Sequence, residues 1–201
     1  MLVSFTGAQS TGKTTLLKIC KSELTGKKFV KDPEDDIYKD EWSFVDEVTR
    51  KVGRMGHTIN EGGDNLTQLY ILKEHLENHF LHGKVVLDRC ILDGYVYTHW
   101  LYKKDKVDSW VREHAKNLLS FLGDRLDVIF YTEPDDIPLD DDGERSIDVD
   151  FRNEIIEIYE DVMTETGSIP GRHTWRDKIV RLSGTVDERM SIIRKTLDID
   201  E

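Results

Sequence analysis

Short runs of consecutive apolar residues alternate along this chain with longer stretches in which apolar positions recur every three or four residues. The run at Leu2–Thr6 has the make-up of a buried strand. Residues 13–24 follow with Leu16, Leu17, Cys20 and Leu24 on one stripe, which predicts a helix with Gly26 just beyond it. Residues 27–41 are polar and contain Pro33, so they read as a loop, a strand over 28–31 being the alternative. Trp42–Val45 is a second strand running into a short helix from about Glu47. Asp64 caps a predicted amphipathic helix with Leu66, Leu69, Tyr70, Leu76 and Phe80 on its apolar side and Gly83 as its stop. Strands are expected at 85–87, 128–131 and 178–182. Helices are expected from about 91 to 100, over Ser109–Leu122, and over 151–166 with Ile155, Ile158, Tyr159 and Val162 inward. A last helix covers 188–197. This alternation predicts an α/β fold in one domain, with a five-stranded parallel sheet and helices on both faces.

Composition narrows the function classes. Forty acids against 28 Lys and Arg give a net charge of −12. That balance argues against a surface built to bind the nucleic-acid backbone, which needs a Lys/Arg footprint. Nine of the acids, against the single base Arg145, lie between Glu133 and Asp150, so the remainder of the chain is closer to neutral. DNA would therefore have to approach away from that segment. No run reaches the about 18 apolar residues of a membrane span, and the N-terminus lacks the basic and long apolar regions of a signal peptide. Two cysteines, Cys20 and Cys90, form no disulfide framework, and the expected location is the cytoplasm.

The strongest motif is Gly7-Ala8-Gln9-Ser10-Thr11-Gly12-Lys13-Thr14, which matches G-x-x-x-x-G-K-[ST] between a predicted strand and a predicted helix. Gly7 and Gly12 allow backbone conformations in which successive N–H groups turn around a phosphate, and the following helix presents its positive end to the same anion. Lys13 can reach the β- and γ-phosphates of ATP, and the Thr14 hydroxyl can enter the shell of Mg²⁺. Thr15 completes the predicted nucleotide-binding set.

Three features separate the kinds of phosphate-loop protein. Lys84-Val85-Val86-Leu87-Asp88-Arg89 has the apolar run and terminal acid of a Walker-B strand, but an arginine follows where a hydrolytic motor needs a second carboxylate. No N-K-x-D motif is present for reading guanine. The acidic segment at about 133–152 reads as a lid, from which Arg145 or Arg152 could neutralise a transferring phosphoryl group. For Arg145 the plain alternative is a solvated loop charge.

On these residues the chain resembles the small nucleoside- and nucleotide-kinase-like P-loop proteins, in particular the ribosylnicotinamide-kinase-like group with an AAA-type ATP-binding domain, found in bacteria and phages. The residues that carry the resemblance are the phosphate loop, Glu47 and Arg50 after the second strand, Asp88-Arg89, and the lid pattern Asp142-Gly143-x-Arg145. The resemblance implies that Glu47 accepts the proton of the acceptor hydroxyl and that Arg89 meets phosphate. It also puts Ser183-Gly184-Thr185 near the adenine of ATP. Cys90 departs from the Ser, Tyr or His common at its position, so the acceptor's identity does not carry over.

The residues themselves point the same way. Glu47, Asp88 and the phosphate loop each follow a predicted strand, so they should meet at the carboxyl edge of the sheet. Either carboxylate could be the base there, the other managing Mg²⁺; Glu47 is the first choice for the proton and Asp88 for the metal. A first-turn helix acid is the plain alternative for Glu47, and a surface helix charge for Arg50. His75 and His79, one helical turn apart, read as a solvated face rather than a metal pair. Tyr95, Tyr97, Trp100 and Tyr102 are candidates for a base-stacking wall or for core. Arg172, His173, Trp175, Arg176 and Lys178 form a basic-aromatic cluster that suits either polynucleotide phosphate or a capped loop. The function expected is an ATP- and Mg²⁺-dependent kinase of a nucleoside, nucleotide or related small molecule. Its rivals are a kinase of a hydroxymethylated base in DNA, of 5-hydroxymethyluracil type, and a nucleotide-binding NTPase regulator.

Overall fold

The computed structural model describes residues 1–25, 42–134 and 148–199. Most of the expected lid, including Arg145, and the expected loop at 27–41 lie outside the described residues. The five strands are β1 (Leu2–Thr6), β2 (Trp42–Val45), β3 (Lys84–Asp88), β4 (Val128–Thr132) and β5 (Ile179–Leu182). They form one parallel sheet in the order β2-β3-β1-β4-β5. The helices are α1 (Lys13–Thr25), α2 (Val48–Arg54), α3 (Asn65–Asn78), α4 (Ile91–Lys103), α5 (Ser109–Leu122), α6 (Val149–Met163) and α7 (Val186–Leu197).

Strand alternation assigns the two faces. Val3, Phe5, Val86 and Phe130 point to one side, where Leu16 and Cys20 of α1 and Met190 and Ile193 of α7 cover them. Leu2, Val85, Leu87, Ile129 and Tyr131 point to the other, beneath α4, α5 and α6. Every residue of β1 is buried, as expected of a central parallel strand covered on both faces. The sheet, its strand count and its two helical layers are those predicted from the pattern. The inward residues expected on α6 are buried, although that helix begins at Val149 and ends at Met163.

The buried face of α3 differs from expectation. It is formed by Thr67, Gln68, Ile71, Leu72 and His75, while Leu66 and Phe80 are exposed. Ile71 packs with Val48 and Val52 of α2, and Leu72 belongs to the main core, so α3 is wedged between two neighbours. Of its polar members, Gln68 and His75 line a cleft. Of the expected apolar side, Leu69, Tyr70 and Leu76 are half-buried and pack against the cores while Leu66 and Phe80 do not, and the solvated reading of His75 and His79 is wrong: both are buried. Asp64 does cap α3, its carboxylate accepting from Thr67 N at 2.8 Å. The helix ends at Asn78, and Gly83, at φ 92°, instead makes the turn into β3.

Candidate functional site

The loop from β1 to α1 is shaped by backbone needs that only particular residues meet. Gly7 sits at φ 133°, and a Cβ there would lie 2.6 Å from Thr132 Oγ1 and 2.9 Å from Thr132 O. Gly12 is also left-handed, at φ 86°. Thr132 ends β4, and its hydroxyl pairs with that of Thr11 at 2.6 Å. Lys13 is buried and folds over its own loop, donating to Gly7 O at 2.8 Å, to Ala8 O and to Thr11 Oγ1 at 3.3 Å. Burial, and then the charge of Arg89, lowers its ammonium to about 7. Gln9 and Ser10 are buried in the loop, Thr14 is half-buried in the first turn of α1, and Thr15 is exposed.

Asp88 ends β3, and Arg89 follows at φ 74°, a conformation rare for a non-glycine residue. Its amide still donates to Phe5 O at 3.0 Å, so the turn begins from a paired strand. The turn sends the guanidinium back over the sheet edge. There Nε donates to Glu47 Oε1 at 2.6 Å, and Nη1 to Asp93 Oδ1 at 3.0 Å and to Gly7 O at 3.1 Å. The guanidinium also lies over the Tyr97 ring, 5.4 Å from its centroid. Glu47 is the residue preceding α2, and its second oxygen accepts from Arg50 Nε at 3.2 Å. The structure thus joins Glu47, Arg50, Asp88, Arg89 and Lys13 at one edge, as the strand ends required.

These neighbours set the charge of each carboxyl. Burial alone would raise Glu47, but the charges of Arg89 and Lys13 and the hydrogen bonds from Arg89 and Arg50 hold it at about 2. Burial, and then the charge of Glu47, lifts Asp88 to about 6 against the pull of Arg89 and Lys13. Sequence reasoning missed Asp93. Its carboxylate accepts from Arg89, Tyr159 (2.7 Å), Thr6 (2.8 Å) and the Cys90 amide (2.9 Å), which ties α4, α6 and β1 to the arginine. The available signal was an acid at the third position of a helix, three residues after its cap Cys90, and four after an arginine.

Beside this network opens a narrow cleft lined by Thr49, Asn60, Gln68, Ile71, His75, Arg89, Asp93, Gly94 and Tyr97. Burial, and then the neighbouring His79, lowers His75 to about 3, and burial lowers His79 to about 4, so both rings are neutral near pH 7. Of the expected aromatic wall only Tyr97 lines the cleft. Tyr95 is buried and stacks on His99, Trp100 is buried against Phe151, and Tyr102 is exposed.

Arg152 on α6 reaches Pro134 O at 3.5 Å, at the root of the expected lid. The basic-aromatic cluster is a capped loop: Trp175 is fully buried, Arg176 donates to the carbonyls of Val162, Ile169 and Gly171, and Lys178 donates to Asp124 O.

The groups expected from the sequence to hold Mg²⁺, the Thr14 hydroxyl and the Asp88 carboxylate, are both oxygen donors. This hard and sparse set suits an ion that keeps several waters and shares ligands with phosphates. Among the described residues no group of three His, Cys, Asp or Glu side chains gathers to hold a metal by itself. No helix among them is long and apolar enough to cross a membrane.

A parallel α/β sheet with a phosphate loop at its central strand and a second cleft beside it defines the class, a P-loop nucleotide-binding fold. Residues 2–189 match the model of a family described as an AAA domain, and the chain belongs to that family. Three solved structures share the fold. The NadR protein in complex with NR is 18% identical with a TM-score of 0.65, and the match covers 99% of this chain and 50% of that one. Deoxyadenosine kinase from M. mycoides, with products dCMP and dCDP, is 15% identical with a TM-score of 0.57 and 98% of both chains covered. Thymidylate kinase from Candida albicans is 18% identical with a TM-score of 0.55, covering 100% of this chain and 93% of that one. The chain spans about half the length of the NadR chain. No curated protein matches it.

Proposed function

We propose that the protein is a kinase that moves the γ-phosphoryl group of ATP, with Mg²⁺, onto a hydroxyl or phosphate of a nucleoside, nucleotide or related small molecule. The observation that carries this reading is the position of the cleft. It opens at the Glu47–Arg89–Asp93 network, and the same arginine bonds Gly7 O of the phosphate loop at 3.1 Å. One guanidinium therefore touches both the phosphate loop and the cleft beside it. The fold shared with a NadR protein bound to NR, a deoxyadenosine kinase and a thymidylate kinase supports the acceptor class.

In this mechanism residues 7–14 cradle the donor phosphates through backbone N–H groups, and Lys13 moves from its loop carbonyls onto the phosphates. Thr14 and Asp88 would hold Mg²⁺, which would supply positive charge to neutralise that developing on the phosphates. For a hydroxyl acceptor, its oxygen forms the new bond to the γ-phosphorus as the bond to the β–γ bridging oxygen breaks, leaving ADP. The hydroxyl proton passes to Glu47. A pKa of about 2 makes Glu47 a weak base, but a loose phosphoryl-transfer transition state asks mainly for orientation and late proton acceptance. Arg89 steadies Glu47 and faces the transferring group, with Arg145 or Arg152 supplying further positive charge from the lid. The carboxyl of Asp88, raised to about 6, favours a second assignment in which Asp88 takes the proton.

The rival acting on a base in DNA loses its main support, because the basic-aromatic cluster spends Arg176 and Lys178 on backbone carbonyls. The test is a panel of nucleosides, nucleoside monophosphates, nicotinamide riboside and hydroxymethylated duplex DNA, each offered with γ-labelled ATP. Label should appear in a small-molecule member. Label released only as free phosphate, whatever the acceptor, overturns the kinase reading and favours an NTPase regulator.

A further inference from the structure

Arg189 lies outside every motif in the sequence, yet it is 2% exposed and its guanidinium reaches three separate segments. Nη1 donates to Thr11 O of the phosphate loop at 2.7 Å, Nε to Gly184 O at 2.9 Å, and Nη2 to Glu133 O at 3.4 Å. Its mount is firm. Thr185 and Glu188 close a capping box on the first turn of α7, and Met190 and Ile193 of the same helix pack in the core shared with α1.

The bond to Thr11 O has a geometric consequence. The Thr11–Gly12 peptide is trans, so its C=O and N–H point in opposite directions. Holding the Thr11 carbonyl towards α7 turns the Gly12 N–H away from α7. Gly12 would supply one of the loop amides that a phosphate nest requires; it sits at φ 86°, and with no Cβ it can adopt other backbone conformations unless something pins the peptide. A buried cation on the carbonyl side also withdraws electron density through the peptide, making that N–H a better donor.

We infer that Arg189 is a positioning residue for nucleotide binding: by clamping the Thr11 carbonyl it aims the Gly12 amide at the bound phosphate and ties the loop to the segments after β4 and β5. This rests on the loop's binding nucleotide phosphate, as the proposed function requires, but not on any acceptor or transfer.

The experiment is calorimetric titration of the whole chain with Mg²⁺ and ADP or ATP, no acceptor present, for the original protein, Arg189→Met and Arg189→Lys. Arg176→Met is the control, since that arginine also clamps three carbonyls but away from the phosphate loop. Arg189→Met should weaken nucleotide binding about tenfold and Arg189→Lys less, because one ammonium cannot span the same fork. Arg176→Met should lower the melting temperature and leave affinity unchanged. The Gly12 amide resonance, read in glycine-labelled protein, should shift in both Arg189 variants before nucleotide is added. Unchanged affinity in a folded Arg189→Met protein overturns the inference. Should that variant fail to fold, Arg189→Lys decides, and unchanged affinity with an unmoved Gly12 resonance overturns it. An original protein that binds nucleotide but phosphorylates nothing fails the kinase reading alone; one that binds no nucleotide fails both.

Discussion

The proposed donor and acceptor sides of the site are built on different principles. On the donor side, eight consecutive residues form the cradle and its main parts are backbone amides and glycines. On the acceptor side, the cleft is assembled from side chains on α2, α3 and α4 and the segments around them, held by ion pairs between residues as far apart as Glu47 and Arg89. The donor side is a local device that most of its own sequence specifies. The acceptor side is a long-range one, in which each residue means little until the others arrive.

Substitutions should separate the two. The largest effect is expected from Lys13→Ala, which removes the ammonium that meets the β- and γ-phosphates. Transfer should fall by roughly 10³-fold or more while circular dichroism and melting show an intact fold. Retained turnover would sink the donor assignment. Next comes Glu47→Gln, which preserves shape and an acceptor for Arg89 but removes the charge. Turnover should drop by roughly 10²-fold with the KM for ATP nearly unchanged; full turnover would transfer the proton-accepting role to Asp88.

The smallest effect is on stability against pH, and it belongs to the acceptor side. His75 and His79 titrate at about 3 and 4 when folded, against about 6.5 when unfolded. Below pH 6.5 the unfolded chain therefore binds more protons, and stability should fall as pH drops from 6.5 towards 4. Asp88 acts in the opposite sense, because its folded value of about 6 lies above the unfolded one. Burial likewise lowers His99 to about 4, and three histidines outweigh one carboxyl, so urea midpoints should decline over that window, more steeply in Asp88→Asn and less so in His79→Gln. A flat profile in the original protein would contradict the burial of the histidine pair.

The same division decided what could be read from sequence. The strands, most helices and the loop at residues 7–14 follow from patterns in which neighbours along the chain are neighbours in space. Glu47, Asp88 and Arg89 were reachable because each follows a strand, and parallel strand ends converge. Asp93 and Arg189 were not, since their partners are Thr6 and Tyr159 in one case and Thr11 and Gly184 in the other. The inward face of α3 was only partly read, for a related reason: Leu69, Tyr70 and Leu76 do pack inward, but its polar members escaped notice. Gln68 and His75 are buried against a cleft, and hydrophobic periodicity cannot tell a polar cleft from water.

The packing of Gly7 and Thr11 against Thr132 also bears on how the protein comes into being on the ribosome. The loop is synthesised well before the β4 residue that shapes it, which emerges more than a hundred positions later, and the Arg189 that clamps Thr11 O is 178 positions distant. At about 5–20 residues per second, residues 7–14 spend many seconds without the later residues that shape the loop. A nascent chain should therefore acquire nucleotide affinity late and abruptly rather than by degrees.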